Sequence, residues 1–106
     1  MTTPELTITP QSTPAGTVVH LTGQADVLNS GRLVEALCGL VPIGVTKLLI
    51  DCSRLAYIDS MALRAFVVVA KVLRNRNGWL TLIHPREAVL RMLTITGADT
   101  YMRIQQ

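Results

Sequence analysis

Alternation of apolar and polar side chains predicts two strands at the start of the chain. Residues 5–10, ELTITP, alternate with the two-residue period of a half-buried strand. A stretch rich in turn-forming residues, QSTPAG, separates them from a second apolar segment, TVVHLTG at residues 17–23. Two such segments joined by a turn favour an antiparallel hairpin. His20 alternates with Val19 and Leu21, so we expect it on the more exposed face of the second strand.

The helical period replaces the strand period after this hairpin. Leu33, Leu37 and Leu40 recur at helical spacing and predict a helix over about residues 31–41, with Ser30 as its N-cap. The next apolar segment, KLLIDCS at residues 47–53, is continuous, which is typical of a strand covered on both faces.

Two further helices and two strands follow. Asp59 or Ser60 is expected to cap a helix of about 15 residues, which stops near Asn77 and Gly78. The remaining pattern predicts a buried strand in WLTLIHP, a helix in REAVLRMLTIT that Gly97 ends, and a short last strand in YMRIQQ.

The resulting order, ββαβαβαβ, indicates one α/β domain over residues 1–106. Strands that alternate with helices imply right-handed crossovers and a mixed, mainly parallel sheet covered by helices. Functional groups of such sheets gather where strands end and helices begin. The segment IDSMALR, residues 58–64, lies at such a junction, so its Asp and Ser could serve as an active site, a phosphorylation switch or only a helix cap.

Composition narrows the classes of function. Hydrophobic residues make up 49% and charged residues 16% of the 106 residues, which excludes a disordered chain. The ten basic residues are scattered, and a loose cluster of Lys71, Arg74 and Arg76 is interpreted as a solvated helix face. Without a dense basic stripe or aromatic residues placed for stacking, direct nucleic-acid binding is not expected.

Cysteine usage and the apolar runs suggest a cytoplasmic protein. Cys38 and Cys52 have no metal-type spacing, and we expect both to be reduced and largely buried. The amino terminus lacks the pattern of a signal peptide, and the longest apolar runs are far too short to span a bilayer. Direct membrane insertion is therefore not expected.

Catalytic motifs are missing from the sequence. It contains no G-x-S-x-G elbow, no phosphate-binding glycine loop and no H-E-x-x-H. We therefore expect a protein that is not an enzyme and needs no metal or cofactor. A hypothetical trio for nucleophilic catalysis would combine Ser60, one of His20 and His84, and one of Asp26, Asp51 and Asp59.

Three segments together resemble the STAS domain family. They are LTGQAD at residues 21–26, LLIDCSRLAYIDSMAL at 48–63 and WLTLIHPREAVLRMLTITGAD at 79–99. The resemblance covers nearly the whole chain in the family's order and spacing. STAS domains occur in bacterial anti-sigma factor antagonists, as the cytoplasmic tail of sulfate transporters, and as free-standing subunits of ABC-type lipid transporters.

The resemblance implies a partner-switching regulator of transcription. In such antagonists the unmodified form binds an anti-sigma factor, which is also a serine kinase, and this binding frees a sigma factor. Phosphorylation of a serine or threonine at the helix start then breaks the complex. The resemblance therefore implies an anti-sigma factor antagonist whose partner is a kinase-like anti-sigma factor.

The family pattern carries over to individual residues, with two departures. Asp26 matches the loop aspartate after the second strand, Asp59 and Ser60 match the Asp-Ser of the helix start, and Leu63 matches the family leucine. Met61 stands at the phosphoacceptor position and Ala62 at a glycine. Methionine has no hydroxyl, so the usual switch cannot operate there. Ser60 remains a candidate phosphorylation site, although the family's first serine is more typical of a capping residue.

We expect the segment Asp59–Arg64 and the Asp26 loop to bind the partner protein, and two interpretations of this binding stay open. The protein could be an antagonist held in its binding-competent state, with Met61 as an adaptable apolar contact. It could instead be the STAS subunit of an ABC-type lipid transporter, stabilising the ATPase. The outer face of this helix carries Arg64, Lys71 and Arg74, with Val67 or Val68 between them. Such a face suits docking of a partner in either case. The alternative is that this valine-rich helix is mostly buried.

The end of the chain is a further departure. Family members commonly finish with another helix, whereas this sequence stops at Gln106. We therefore expect a homodimer contact or a partner to cover part of the sheet face or an edge.

Overall fold

The computed structural model of the chain, which describes residues 5–106, contains one five-stranded sheet and three α-helices. The elements are β1 Thr7–Thr13, β2 Gly16–Ala25, α1 Ser30–Cys38, β3 Lys47–Ile58, α2 Ser60–Arg74, β4 Trp79–Ile83, α3 Glu87–Thr96 and β5 Arg103–Gln105, with a short 3-10 helix, Ala98–Thr100, before β5. The predicted order ββαβαβαβ is confirmed. The first four positions of the predicted domain lie outside the described residues.

The sheet is mixed and mainly parallel, as expected. Its strands lie in the order β1-β2-β3-β4-β5, with β1 antiparallel to β2 and every other neighbouring pair parallel. The parallel pairing brings the carboxyl ends of β2 and β3 together, because Ala25 pairs with Ile58. The residues that follow these two strands, Asp26 and Asp59, therefore lie at the same end of the sheet.

One hydrophobic core joins the three helices to the inward strand residues. Phe66 of α2 is fully buried among aliphatic side chains, which suits a sequence poor in aromatic residues. The strands contribute alternate residues to this core, since strand side chains point to opposite faces in turn. Its largest fully buried members besides Phe66 are Leu6, Leu21, Leu33, Leu37, Leu48, Ile50, Leu55, Leu73, Leu80, Leu82 and Leu93.

The prediction that residues 47–53 form a strand covered on both faces was wrong. Leu48, Ile50 and Cys52 are buried, whereas Leu49 and Asp51, on the opposite face, are only partly buried. Adjacent apolar residues suggested burial on two sides, but the helices cover only one. The strand also continues to Ile58 instead of ending at Ser53, because its second half pairs with β2 beyond a bulge.

The hairpin turn and the first helix are shorter than predicted. Strand β1 extends to Thr13, which pairs with Gly16, so the turn proper is Pro14–Ala15. Gly16 has a φ of +130° there, which glycine adopts without strain. Helix α1 ends at Cys38 rather than near residue 41, and its N-cap is Asn29 rather than Ser30. The Asn29 side chain bonds to the preceding loop instead of to the helix.

Candidate partner-binding surface

Asp59 connects the start of α2 to the loop between β2 and α1. It follows β3 directly, and its Oδ1 accepts a hydrogen bond of 2.9 Å from the backbone N–H of Ala62. This is the predicted N-cap. Its Oδ2 accepts a second bond of 2.8 Å from the N–H of Val27. A single carboxylate therefore satisfies one backbone donor in each of two segments and holds them together.

The loop at residues 26–29 is held by a second set of hydrogen bonds. Asp26 Oδ1 accepts from the N–H of Leu28 at 3.0 Å. The Asn29 amide accepts from the N–H of Asp26 at 2.9 Å and donates to the carbonyl of Gln24 at 2.9 Å. These bonds fix the loop backbone, while the side chains of Val27 and Leu28 remain 62% and 86% exposed. Two apolar side chains thus project from an ordered loop.

The first turn of α2 divides its residues between surface and core. Ser60 is exposed, and Met61 is 41% exposed. Ala62 and Leu63 are buried in the hydrophobic core, so the contact role expected for these two side chains is wrong. The physical reason is the helical period, which turns these two positions toward the sheet. Their role is to anchor the helix start.

A shallow apolar groove of about 200 Å³ runs between α1 and α2 beside Met61. The α1 wall consists of Ser30, Gly31 and Val34, and the α2 wall consists of Met61, Arg64, Ala65 and Val68. Arg64 is exposed at its rim. We call the set Val27, Leu28, Val34, Met61, Arg64 and Val68 the Met61 surface. The α2 residues of this surface were indicated by the sequence. The α1 residue Val34 was not, because the sequence does not reveal that α1 packs beside α2.

The basic outer face predicted for α2 splits into two regions. Arg64 belongs to the Met61 surface, whereas Lys71 lies over the ring of Tyr101 and Arg74 faces Trp79. Val68 is exposed between them and Val67 is partly buried. The helix therefore presents an apolar surface near its start and a basic one near its end.

Within residues 5–106 the hypothetical catalytic trio is not assembled. His20 Nδ1 lies 2.8 Å from Asp51 Oδ2, and its Nε2 lies 2.8 Å from Gln11 Oε1, so the ring links three strands across the open sheet face. Ser60 makes no hydrogen bond to either histidine in this part of the chain. The sequence placed His20 on the exposed face correctly but did not reveal its partner, since residues 20 and 51 meet only through strand register.

Asp51 should make the free energy of unfolding depend on pH in the acidic range. Burial alone raises its pKa, but hydrogen bonds from Ser53 and His20 outweigh burial and leave the pKa below its ordinary value. A lowered folded pKa stabilises the protein above the unfolded pKa, and that contribution is lost as the pH falls through the folded pKa. Asp51→Asn should therefore flatten the decline of stability below about pH 4, the ordinary aspartate range. Urea unfolding across acidic pH measures this, with Asp99→Asn as the matched control; parallel curves for Asp51→Asn and wild type would contradict it.

Metal ligands, thiols and membrane-spanning helices contribute little further chemistry among residues 5–106. Residues 5–106 contain no group of three His, Cys, Asp or Glu side chains arranged to hold a metal ion. Both cysteines are free thiols, with Cys52 buried and Cys38 partly buried. Burial and the nearby Asp51 charge raise the pKa of Cys52 to about 12, and burial raises the pKa of Cys38, so both thiols are mainly protonated near neutral pH. None of the helices in this range is long and apolar enough to cross a membrane.

Comparison with known proteins places these features in one family. The family model described as "Mlab, STAS domain" matches residues 8–105. BtrV of Bordetella bronchiseptica, which bears the name of an anti-sigma factor antagonist, is 34% identical over 80 residues, covering 76% of this chain and 69% of that protein.

Solved structures share the fold at lower sequence identity. An anti-sigma factor antagonist from Mycobacterium paratuberculosis superimposes with a TM-score of 0.85 at 21% identity, over 95% of this chain and 86% of that one. The phosphorylated form of SpoIIAA, a cell-fate determinant of Bacillus, superimposes with a TM-score of 0.72 at 17% identity, over 96% and 92%. With the family model matching almost the entire described chain, these findings show that the protein belongs to the STAS domain family.

Proposed function

We propose that this protein is an anti-sigma factor antagonist, which binds a serine-kinase type anti-sigma factor and thereby releases a sigma factor. The observation that carries the proposal is the Met61 surface, because Asp59 and the loop network fix the backbone from which its apolar side chains project toward solvent. A preordered apolar surface loses little conformational entropy when a partner binds. The 34% identity to BtrV supports this class of partner.

Met61 gives the proposed interface a different chemistry from a phosphorylated switch. A thioether cannot accept a phosphate, but it adapts its shape to an apolar partner surface. The interaction is then controlled either by the amount of each protein or by modification of another residue. Ser60 is exposed and opens α2, so a kinase can reach its hydroxyl.

Phosphorylation of Ser60 would act against partner binding. A phosphate carries about −1.5 to −2 charge at neutral pH, and a helix N-terminus stabilises it. It would lie next to Met61, and docking would then require the removal of water from a charged group beside an apolar contact. Modification at Ser60 would therefore weaken the same complex that unmodified protein forms.

A displacement experiment tests the proposed function. A complex of the sigma factor with its anti-sigma factor is mixed with increasing amounts of this protein, and free sigma factor is measured by size-exclusion chromatography. Release of sigma factor in proportion to the added protein is the expected result. A sigma complex that stays intact while this protein elutes alone would contradict the proposal.

Replacement of Asp26 separates the role of its carboxylate from that of its backbone. Asp26→Ala removes one hydrogen bond, from Leu28, while the bonds of the Asp26 backbone to Asn29 and Ser30 remain. We expect a retained fold and partner affinity reduced about 3- to 10-fold, because Leu28 loses its fixed position. Isothermal titration with the partner measures this, and Ser53→Ala on the open sheet face serves as a control. An unfolded variant would instead make Asp26 a structural residue.

A subunit of an ABC-type lipid transporter is the second candidate function. The matching family model is described as a STAS domain and names no sigma-factor regulator, so the family match fits this alternative as well. The same apolar surface would then dock on the ATPase subunit. Stabilisation of a purified transporter ATPase by this protein, with no release of sigma factor, would favour this alternative.

A further inference from the structure

Basic side chains and two aromatic rings cluster at the end of the sheet opposite to the Met61 surface. The guanidinium of Arg103 lies 3.9 Å and that of Arg74 5.9 Å from the centre of the Trp79 ring. The ammonium of Lys71 lies 4.9 Å from the centre of the Tyr101 ring. Lys47 pairs with Trp79 where β3 and β4 begin. We call the set Lys47, Lys71, Arg74, Trp79, Tyr101 and Arg103 the Trp79 patch.

The four cations of this patch outnumber the acidic residues beside them in sequence, of which Asp99 lies two residues before Tyr101 and Asp51 four residues after Lys47. Between Asp59 and Glu87 the chain contains no acidic residue, although it carries Arg64, Lys71, Arg74, Arg76 and Arg86. The two ion pairs found in the described residues join His20 to Asp51 and Arg91 to Glu87, and neither includes a cation of the patch. The patch therefore presents a positive potential to solvent, in a protein whose net charge is +3.

Exposed apolar and aromatic side chains accompany this charge. Trp79 and Tyr101 are 39% and 38% exposed. Ile43 is 75% exposed and shares a shallow groove with Lys47. Tryptophan and tyrosine favour the interface between lipid headgroups and acyl chains, and clustered Lys and Arg are attracted to anionic lipids. A surface that combines clustered cations with exposed Trp and Tyr suits peripheral contact with a membrane.

We propose that the Trp79 patch docks this protein on membrane surfaces rich in anionic lipid, independently of the partner bound at the Met61 surface. Two other polyanions fit less well. Single-stranded nucleic acid needs a free ring face on which a base can stack, but Arg103 covers the ring of Trp79. A stable acidic protein partner needs a continuous apolar centre, whereas basic side chains lie over both aromatic rings here.

Trp79 makes the proposal directly measurable, because it is the only tryptophan of the chain. The purified protein is titrated with vesicles of phosphatidylglycerol mixed with phosphatidylcholine, and with vesicles of phosphatidylcholine alone. Binding is followed by cosedimentation and by Trp79 fluorescence. We expect cosedimentation and a blue shift of the Trp79 emission only with the anionic vesicles. High salt should suppress both signals, because it screens the charges.

Paired substitutions locate the contact. Arg74→Gln with Arg103→Gln should lower vesicle affinity roughly 30-fold, since each basic residue near an anionic surface contributes about a fivefold factor. The matched control, Arg54→Gln with Arg91→Gln, removes the same charge from exposed sites outside the patch. It should lower the vesicle affinity much less.

Three results would overturn the proposal. They are no cosedimentation with the anionic vesicles, an equal loss in the two paired variants, and a Trp79 blue shift with soluble polyglutamate but not with vesicles. The last result would assign the patch to an acidic protein segment. The Met61 surface is intact in all these variants, so failure here would leave the proposed function untouched.

Discussion

Met61→Asp should lower the affinity for the anti-sigma factor by about a hundredfold or more. Met61 lines the groove between α1 and α2, and it follows Asp59, whose carboxylate bonds to the loop at Val27, by two residues. A central interface side chain often contributes more than about 2 kcal/mol, and burying an unpaired carboxylate adds a further cost. A loss near 3 kcal/mol corresponds to roughly a hundredfold in affinity.

The variant should nevertheless fold normally. Met61 is partly exposed in the first turn of α2, where the helix dipole favours an acidic side chain. Isothermal titration gives the affinity and urea unfolding gives the stability. Ile95→Asp is a matched control, because Ile95 is an exposed apolar residue of another helix. Equal affinities for Met61→Asp and wild type would show that the interface lies elsewhere.

Asp59→Ala should lower the free energy of unfolding by about 2–3 kcal/mol. The substitution removes an N-cap, which costs about 0.5–2 kcal/mol, and a charge-assisted hydrogen bond to Val27. Because the loop loses its connection to α2, partner affinity should fall as well. Urea unfolding measures the first effect and isothermal titration the second.

Asp59→Asn separates the two bonds of this carboxylate. Asparagine is an equally good cap, and its single oxygen can accept from Ala62, but its amide nitrogen cannot accept from Val27. We expect a stability loss of about 1 kcal/mol, between wild type and Asp59→Ala. Asp99→Ala serves as the surface control. If Asp59→Ala changed stability by less than about 0.5 kcal/mol, the assigned role of the carboxylate would be wrong.

The order of elements was predictable because local patterns carry it. The helical spacing, the turn residues and the capping aspartate each act over a few residues, and they yielded the order ββαβαβαβ and the cap at Asp59. Local patterns could not predict which face of β3 the helices cover. Adjacent apolar residues such as Leu48 and Leu49 look alike in sequence, although only Leu48 faces the helices. Which face remains open depends on where distant helices pack.

The candidate site was predictable only in part, for the same reason. Asp59 or Ser60 was expected to cap α2, but the bond of Asp59 to Val27 joins residues 32 positions apart and follows from the pairing of β2 with β3. Ala62 and Leu63 were expected to contact the partner because the family motif includes them, yet the helical turn buries both. The groove wall at Val34 and the ring contacts of Lys71 and Arg74 also depend on packing between separate elements.

The most direct test of the proposed function is a parallel pull-down from the native cytosol with tagged wild type and tagged Met61→Asp. Bound proteins are identified and quantified by mass spectrometry. We expect wild type to recover a kinase-fold anti-sigma factor and Met61→Asp to lose it. Recovery of transporter ATPase subunits in its place, or equal recovery of the anti-sigma factor by both proteins, would contradict the proposed function.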